Sequence, residues 1–321
     1  MLALAIIAGV VVAILFFLRR RAQRTFHSEL KGTLAPPSLL HDFKEYLSLT
    51  GLLPEQWEAK GQIIKKLLMV GTPEYYHALD ILRALDGQAL VKANAVLRIS
   101  AVCNPAVALN FINQRGILRK RLKNDPNIFA KSEWKLIEDR QVLRQWVFQC
   151  YQELCSSYPW NESTELTPVI PVVHGTSEAI ADKIIDNGFS ALSSLDAGFY
   201  GKGMYFSSSA RYILPYYATK PNPVILICMA VPGNSYPVVE SRTEPNSHLG
   251  LPIKPGYQSN YVLTTRDGNP CQFQGDRQDV FDELVLDQEA QVVPCLLVEL
   301  DRDRLGQLTK EFQRVAPNGA K

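Results

Sequence analysis

The first eighteen positions, MLALAIIAGVVVAILFFL, contain no charged residue. At about 1.5 Å per residue a helix of that length spans roughly 27 Å, near the ~30 Å hydrocarbon core of a bilayer. Arg19, Arg20, Arg21 and Arg24 follow without an acid. This pattern predicts a retained transmembrane anchor at residues 1–18, with the remainder of the chain cytosolic. A cleaved signal peptide fits less well, because no basic segment precedes the apolar run and the run ends in Leu15-Phe16-Phe17-Leu18. Residues 19–37 read as a basic juxtamembrane linker closed by Ala35-Pro36-Pro37.

Residues 38–159 carry a helical texture. Thr72-Pro73 is a helix start, with Leu79, Leu82 and Leu85 on one face and Gly87 past the end. Pro54 opens a segment striped by Trp57, Ile64, Leu67 and Leu68, and Gln88–Val102 repeats the pattern with Leu90, Ala93, Leu97 and Ala101. Asn104-Pro105 restarts the chain, and Ser132 caps a long final helix containing Trp134, Val142 and Trp146. These positions predict an all-helical middle region. Arg115, Arg119, Lys120, Arg121 and Lys123 cluster within it, as a solvated helix end or a phosphate-contacting or membrane-facing patch would.

After Pro159–Thr164 the texture changes. Short apolar runs recur between turn residues: Val169–Val173, Met204–Phe206, Val224–Val231, Tyr236–Val239, Tyr261–Thr264, Leu284–Leu286 and Val292–Leu300. One amphipathic helix, Ser177–Asn187, is capped by Thr176 and ended by Gly188. Residues 166–302 are thus expected to form a mainly antiparallel sheet domain, and 303–321 a polar tail with a short helix. The fold class predicted for the whole is α+β: anchor, helical region, sheet domain.

Composition narrows the function. The 321 residues hold 34 Lys and Arg against 32 Asp and Glu; without the four arginines beside the apolar run the remainder is −2. A body that coats nucleic acid is excluded on that balance. The six cysteines form no C-x-x-C pair, and no His stands at metal-ligand spacing, so reduced structural thiols and no metal are expected.

Three places look unlike scaffolding. His174-Gly175-Thr176 stands where an apolar strand gives way to a helix cap, and glycine there allows close approach of a ligand. Tyr200-Gly201-Lys202-Gly203-Met204-Tyr205-Phe206 runs into Ser207, Ser208, Ser209 and Tyr212, giving two aromatic rings about a serine-lined turn. Because it precedes a strand, this Gly-x-Gly is not a dinucleotide-binding fingerprint of a doubly wound fold. The third, Asp282-Glu283-Leu284-Val285-Leu286-Asp287-Gln288-Glu289-Ala290-Gln291-Val292, starts a strand with carboxylates.

Together these segments resemble the catalytic domain of the poly(ADP-ribose) polymerase-like, diphtheria-toxin-type ADP-ribosyltransferases. Asn187-Gly188-Phe189, Val231-Pro232-Gly233-Asn234 and Gly256-Tyr257-Gln258-Ser259 agree in order, and the resemblance spans Val169–Leu300. It implies a split sheet, NAD⁺ as co-substrate without a metal, and a triad of His174, Tyr205 and Glu283. Gly175 and Ser209 would hold the nicotinamide carboxamide, with Thr176 in the same pocket. Tyr205 and Tyr212 would stack on the ring, His174 would hold the adenosine ribose, and Glu283 would bond the nicotinamide ribose. Two departures stand out: Leu284 follows Glu283 where many relatives have an aromatic, and only Ser207 and Ser208 separate Phe206 from Ser209. The implied protein is a membrane-anchored, cytosol-facing transferase of ADP-ribose to protein acceptors near that membrane, with no nucleic-acid partner. The alternative is a catalytically inactive NAD or ADP-ribose-binding module serving as a membrane-tethered scaffold. A related RNA 2′-phosphotransferase would need basic pocket residues where Asp282 and Glu283 stand.

Overall fold

A computed structural model describes residues 63–158, 160–161, 165–189, 198–272 and 280–314. In chain order the strands are β1 (Ile64–Leu67), β2 (Val96–Cys103), β3 (Ile170–Ser177), β4 (Met204–Phe206), β5 (Pro223–Ala230), β6 (Ser235–Val238), β7 (Ser259–Thr264), β8 (Phe281–Leu286) and β9 (Val292–Leu300). The α-helices are α1 (Pro73–Leu82), α2 (Gln88–Lys92), α3 (Pro105–Asn124), α4 (Pro126–Phe129), α5 (Gln141–Ser157), α6 (Glu178–Asn187), α7 (Leu214–Tyr217) and α8 (Arg302–Arg314). A π-helical turn, Arg83–Gly87, joins α1 to α2.

The strands form two sheets. A five-stranded antiparallel sheet has the order β1-β2-β9-β5-β3, and a four-stranded sheet has the order β4-β8-β7-β6, antiparallel except for the parallel pair β6–β7. Every residue of β5 is buried, because its two faces feed two cores. Ile225 and Ile227 join Val173, Leu296, Val298 and the α1 leucines on one side; Leu226 and Cys228 join Val172, Leu297, Tyr151 of α5 and Ile185 of α6 on the other.

This architecture corrects the expected α+β arrangement to a mixed α/β fold with two antiparallel-rich sheets. Residues 38–159 are not all-helical: β1 and β2 come from them, and β2 pairs with β9 from Val96–Leu300 to Ala101–Leu296. The Leu90–Ala101 spacing fits a helix, but Asn94 takes a left-handed φ of 52° and stops α2 two residues before β2. The long helix expected from Ser132 is a 3₁₀ turn, Glu133–Leu136, followed by α5, which starts after Arg140 at φ 54°. Within the expected tail, α8 runs to Arg314 and buries Leu305 and Phe312, and residues 315–321 lie outside the described residues. Thr176 lies inside β3, and Ser177 stands at the N-terminus of α6.

The membrane assignment is corrected as well. Among the described residues no helix is long and apolar enough to cross a membrane. The segment 1–18 that carried the anchor expectation, and the linker 19–37 that set its cytosolic orientation, lie outside the described residues.

The basic cluster of α3 is largely paired. Arg115 Nη2 lies 3.3 Å from Glu165 Oε2, Arg119 bonds the same carboxylate, and Arg121 sits over the Phe129 ring at 5.5 Å. The two arginines therefore hold the chain leading into β3.

Candidate active site

The two sheets meet where β3, at the edge of the first, touches the chain leaving β4, at the edge of the second. Val173 and Ser207 form an antiparallel bridge, with Val173 N donating to Ser207 O at 2.8 Å and Ser207 N to Val173 O at 3.3 Å. In an antiparallel strand a residue's N–H and C=O point to the same side, and that side alternates. Val173 faces Ser207, so His174 faces β5 and Gly175 again faces the gap between the sheets. Beyond the bridge, one amide donor and one acceptor of Gly175 are thus presented side by side at the seam.

Gly175 is glycine for a packing reason. A Cβ there would stand 2.2 Å from Tyr217 Cδ1, and Tyr217 is completely buried. Gly175→Ala is expected to cost about 1–3 kcal/mol through overpacking. Chemical denaturation checks this, and adding Tyr217→Val should recover part of the loss.

His174 donates from Nδ1 to Tyr205 O at 3.2 Å; a carbonyl can only accept, so the proton sits on Nδ1. Burial pushes its pKa below the usual imidazole value, partly opposed by that bond, so the ring is neutral near pH 7. Nε2 is therefore an acceptor, suited to a hydroxyl that donates to it. The Phe189 and Phe206 rings fix the imidazole at centroid distances of 5.2 and 5.7 Å.

Tyr205 is held by its hydroxyl in the preceding loop. It accepts from Tyr200 N at 2.8 Å and donates to Gly201 O at 2.8 Å. Gly198, at φ 61°, makes that loop possible, since a Cβ would meet Gly201 O at 2.5 Å.

Ser209, Tyr212 and Glu283 are joined directly. Ser209 Oγ accepts from Tyr212 N at 3.0 Å, and the Tyr212 hydroxyl donates to Glu283 Oε1. Both Tyr212 and Glu283 are buried. An O–H bond to a carboxylate is among the stronger neutral-to-charged bonds and fixes the acid's orientation. The Tyr212 ring stacks on Phe281 at 5.1 Å, so one of its faces is already covered. Burial first, then the Glu283 charge, pushes the phenols of Tyr200, Tyr212 and Tyr216 above their ordinary range, so the hydroxyl that bonds Glu283, that of Tyr212, stays protonated.

Beside Glu283, Asp282 ties the serine turn to β8. It accepts from Ser208 N at 2.7 Å, Ser207 Oγ at 3.0 Å and the Tyr261 hydroxyl at 3.1 Å. Burial raises its pKa, opposed by these bonds.

The structure therefore brings His174 to Tyr205 and joins Ser209, Tyr212 and Glu283, with Gly175 on the facing strand. Thr176 is buried with its backbone turned toward β5, and no hydrogen bond among the described residues links it to Ser209 or Tyr212. Residues missed in the sequence are Asp86, which binds Ser209, and Tyr217, behind Gly175. Asp86-Gly87 is a turn dipeptide, a signal that marked the break but not its destination. Residues 190–197, which precede the Tyr200–Phe206 motif, lie outside the described residues.

A separate cavity of about 230 Å³, lined by Phe148, Tyr151, Cys155, Gly233 and Ser235 among others, contains none of the seven candidate residues. The six cysteines are free thiols, and burial raises Cys103 and Cys150 to about 11 and Cys155 and Cys295 to about 12. Among the described residues no cluster of three or more His, Cys, Asp or Glu side chains is placed to hold a metal.

No model of a known protein family matches the chain, and no curated protein matches it.

Proposed function

We propose that this protein is an NAD⁺-dependent ADP-ribosyltransferase that releases nicotinamide and transfers ADP-ribose to a protein side chain. The observation that carries this reading is the Val173–Ser207 bridge, which joins the strand of Gly175 to the turn leading into the Ser209–Tyr212–Glu283 chain. A carboxamide needs a donor and an acceptor side by side, which Gly175 presents. Cleavage of the bond between nicotinamide and ribose builds positive charge on the sugar, and a buried carboxylate nearby stabilises such charge most where water is excluded.

Each group then has a task. Gly175 and Ser209 orient the nicotinamide carboxamide, while the half-buried Tyr205 supports the ring. Tyr212's hydroxyl holds Glu283, whose carboxylate stabilises the oxocarbenium-like sugar and polarises the attacking acceptor. The neutral Nε2 of His174 accepts from a ribose hydroxyl at the other end.

Incubating the full chain with NAD⁺ labelled in the adenylate half, with and without a cell extract, tests the reading. Nicotinamide release together with protein-bound label is expected. Dinucleotide binding without nicotinamide release would overturn it in favour of a non-catalytic NAD-binding module, and absence of binding would overturn both.

A further inference from the structure

The π-turn between α1 and α2 reaches into this site, across more than a hundred positions of sequence. Leu85 O accepts from Ala210 N at 2.7 Å, and Asp86 Oδ2 accepts from Ser209 Oγ at 2.7 Å and from Arg211 Nε at 3.0 Å. Asp86 does this from φ 56°, ψ 25°, a left-handed conformation costing a non-glycine residue about 1 kcal/mol or more. Glycine would take that backbone freely, so the conformation itself does not call for a carboxylate.

We infer that Asp86 is a positioning residue that fixes Ser209 as a hydrogen-bond acceptor and thereby selects a pyridine carboxamide over a pyridine carboxylate. The inference rests on the proposed nicotinamide site. The Ser209 proton is committed to Asp86, and one oxygen lone pair is taken by Tyr212 N at 3.0 Å. What remains toward a ligand is the other lone pair, which can accept from an amide N–H and has nothing to offer a carboxylate oxygen. Arg211 offsets much of Asp86's charge, so the selection works through the direction of the hydrogen bond more than through net repulsion. Gly175's carbonyl opposes a carboxylate in the same sense, and discrimination is shared between the two.

The test measures affinity by calorimetry and, separately, kcat and KM for NAD⁺ and for its nicotinic-acid analogue. Wild type, Asp86→Gly and Asp86→Asn are compared. Asp86→Gly removes the carboxylate while relaxing the backbone, so the fold is kept, and the freed Ser209 hydroxyl can then turn its proton to a carboxylate. The preference for NAD⁺ is expected to narrow about tenfold, the worth of one hydrogen bond, in Kd and in KM, with kcat for NAD⁺ little changed. Asp86→Asn, whose oxygen can still accept from Ser209, should restore most of the preference. A variant that lowers kcat for both dinucleotides equally, with the affinity ratio unmoved, would assign Asp86 a merely structural role and overturn the inference. Wild type that binds NAD⁺ without turning it over defeats the proposed activity but leaves the affinity ratio as the test of Asp86. Wild type that binds neither dinucleotide defeats both.

Discussion

Glu283→Gln is expected to lower kcat for nicotinamide release by a factor on the order of 10²–10³, with KM for NAD⁺ changed only a few-fold. That range is what loss of one preorganised electrostatic group at a developing charge costs. The substitution is nearly isosteric, and the Gln amide oxygen can still accept from the Tyr212 hydroxyl that now bonds Glu283. Folding stability should therefore stay within about 1 kcal/mol, and the kinetic loss reports the missing charge. Steady-state rates, with thermal unfolding as the control, check this. Undiminished release would remove Glu283 from the proposed chemistry, whereas equal losses of rate and stability would make it a structural acid.

The second large effect concerns the join between α5 and the four-stranded sheet. Arg144, 2% exposed, donates to Pro237 O at 3.2 Å, to the Tyr236 hydroxyl at 3.3 Å and to both oxygens of Glu240, at 2.5 and 3.3 Å. His248 Nε2 stands 3.5 Å from the same carboxylate. Arg144→Ala leaves Glu240 buried without its principal partner, which typically costs about 3–5 kcal/mol. Denaturant titration at pH 7 measures it, and a loss below about 1 kcal/mol would show that the pair is not the anchor its burial suggests.

The same pair sets an acid dependence. Burial alone would raise the Glu240 pKa, but hydrogen bonds from His248 and Arg144, with the arginine's charge, hold it well below the ordinary carboxylate value of 4.5. A depressed folded-state pKa gives stability that is complete above the unfolded value and drains away as pH falls below it. Wild-type stability should thus decline below about pH 4.5, and Arg144→Ala should flatten the part of that decline owed to Glu240.

How much of this was legible in the sequence depended on the reach of the pattern. Met204–Phe206 and Val292–Leu300 were readable to the residue, because β-branched and aromatic runs between turn residues leave little choice. β1 was hidden because Lys65 and Lys66 sit at its exposed edge, where packing does not dictate the side chain. β2 was hidden because Leu97 and Ala101 also fit a helical spacing, and only pairing with β9 decides between the two readings. Phe312 looked like tail because its partners Phe281 and Arg266 are remote in sequence. In the site, Tyr205 and Glu283 sit on local motifs and could be singled out. Asp86 could not, since its partner Ser209 is reached only through the folded π-turn.

The strand order has a consequence for how the protein is made. β2 precedes the candidate site in sequence, yet its partner β9 is synthesised after every other described strand. β3, which carries His174 and Gly175, joins the same sheet only through β5 and β9. A ribosome-bound chain therefore holds β2 with an unpaired edge until residue 300 has emerged, and such edges invite pairing between neighbouring chains. Pausing or truncation anywhere before β9 should consequently yield a chaperone client and not a smaller folded domain.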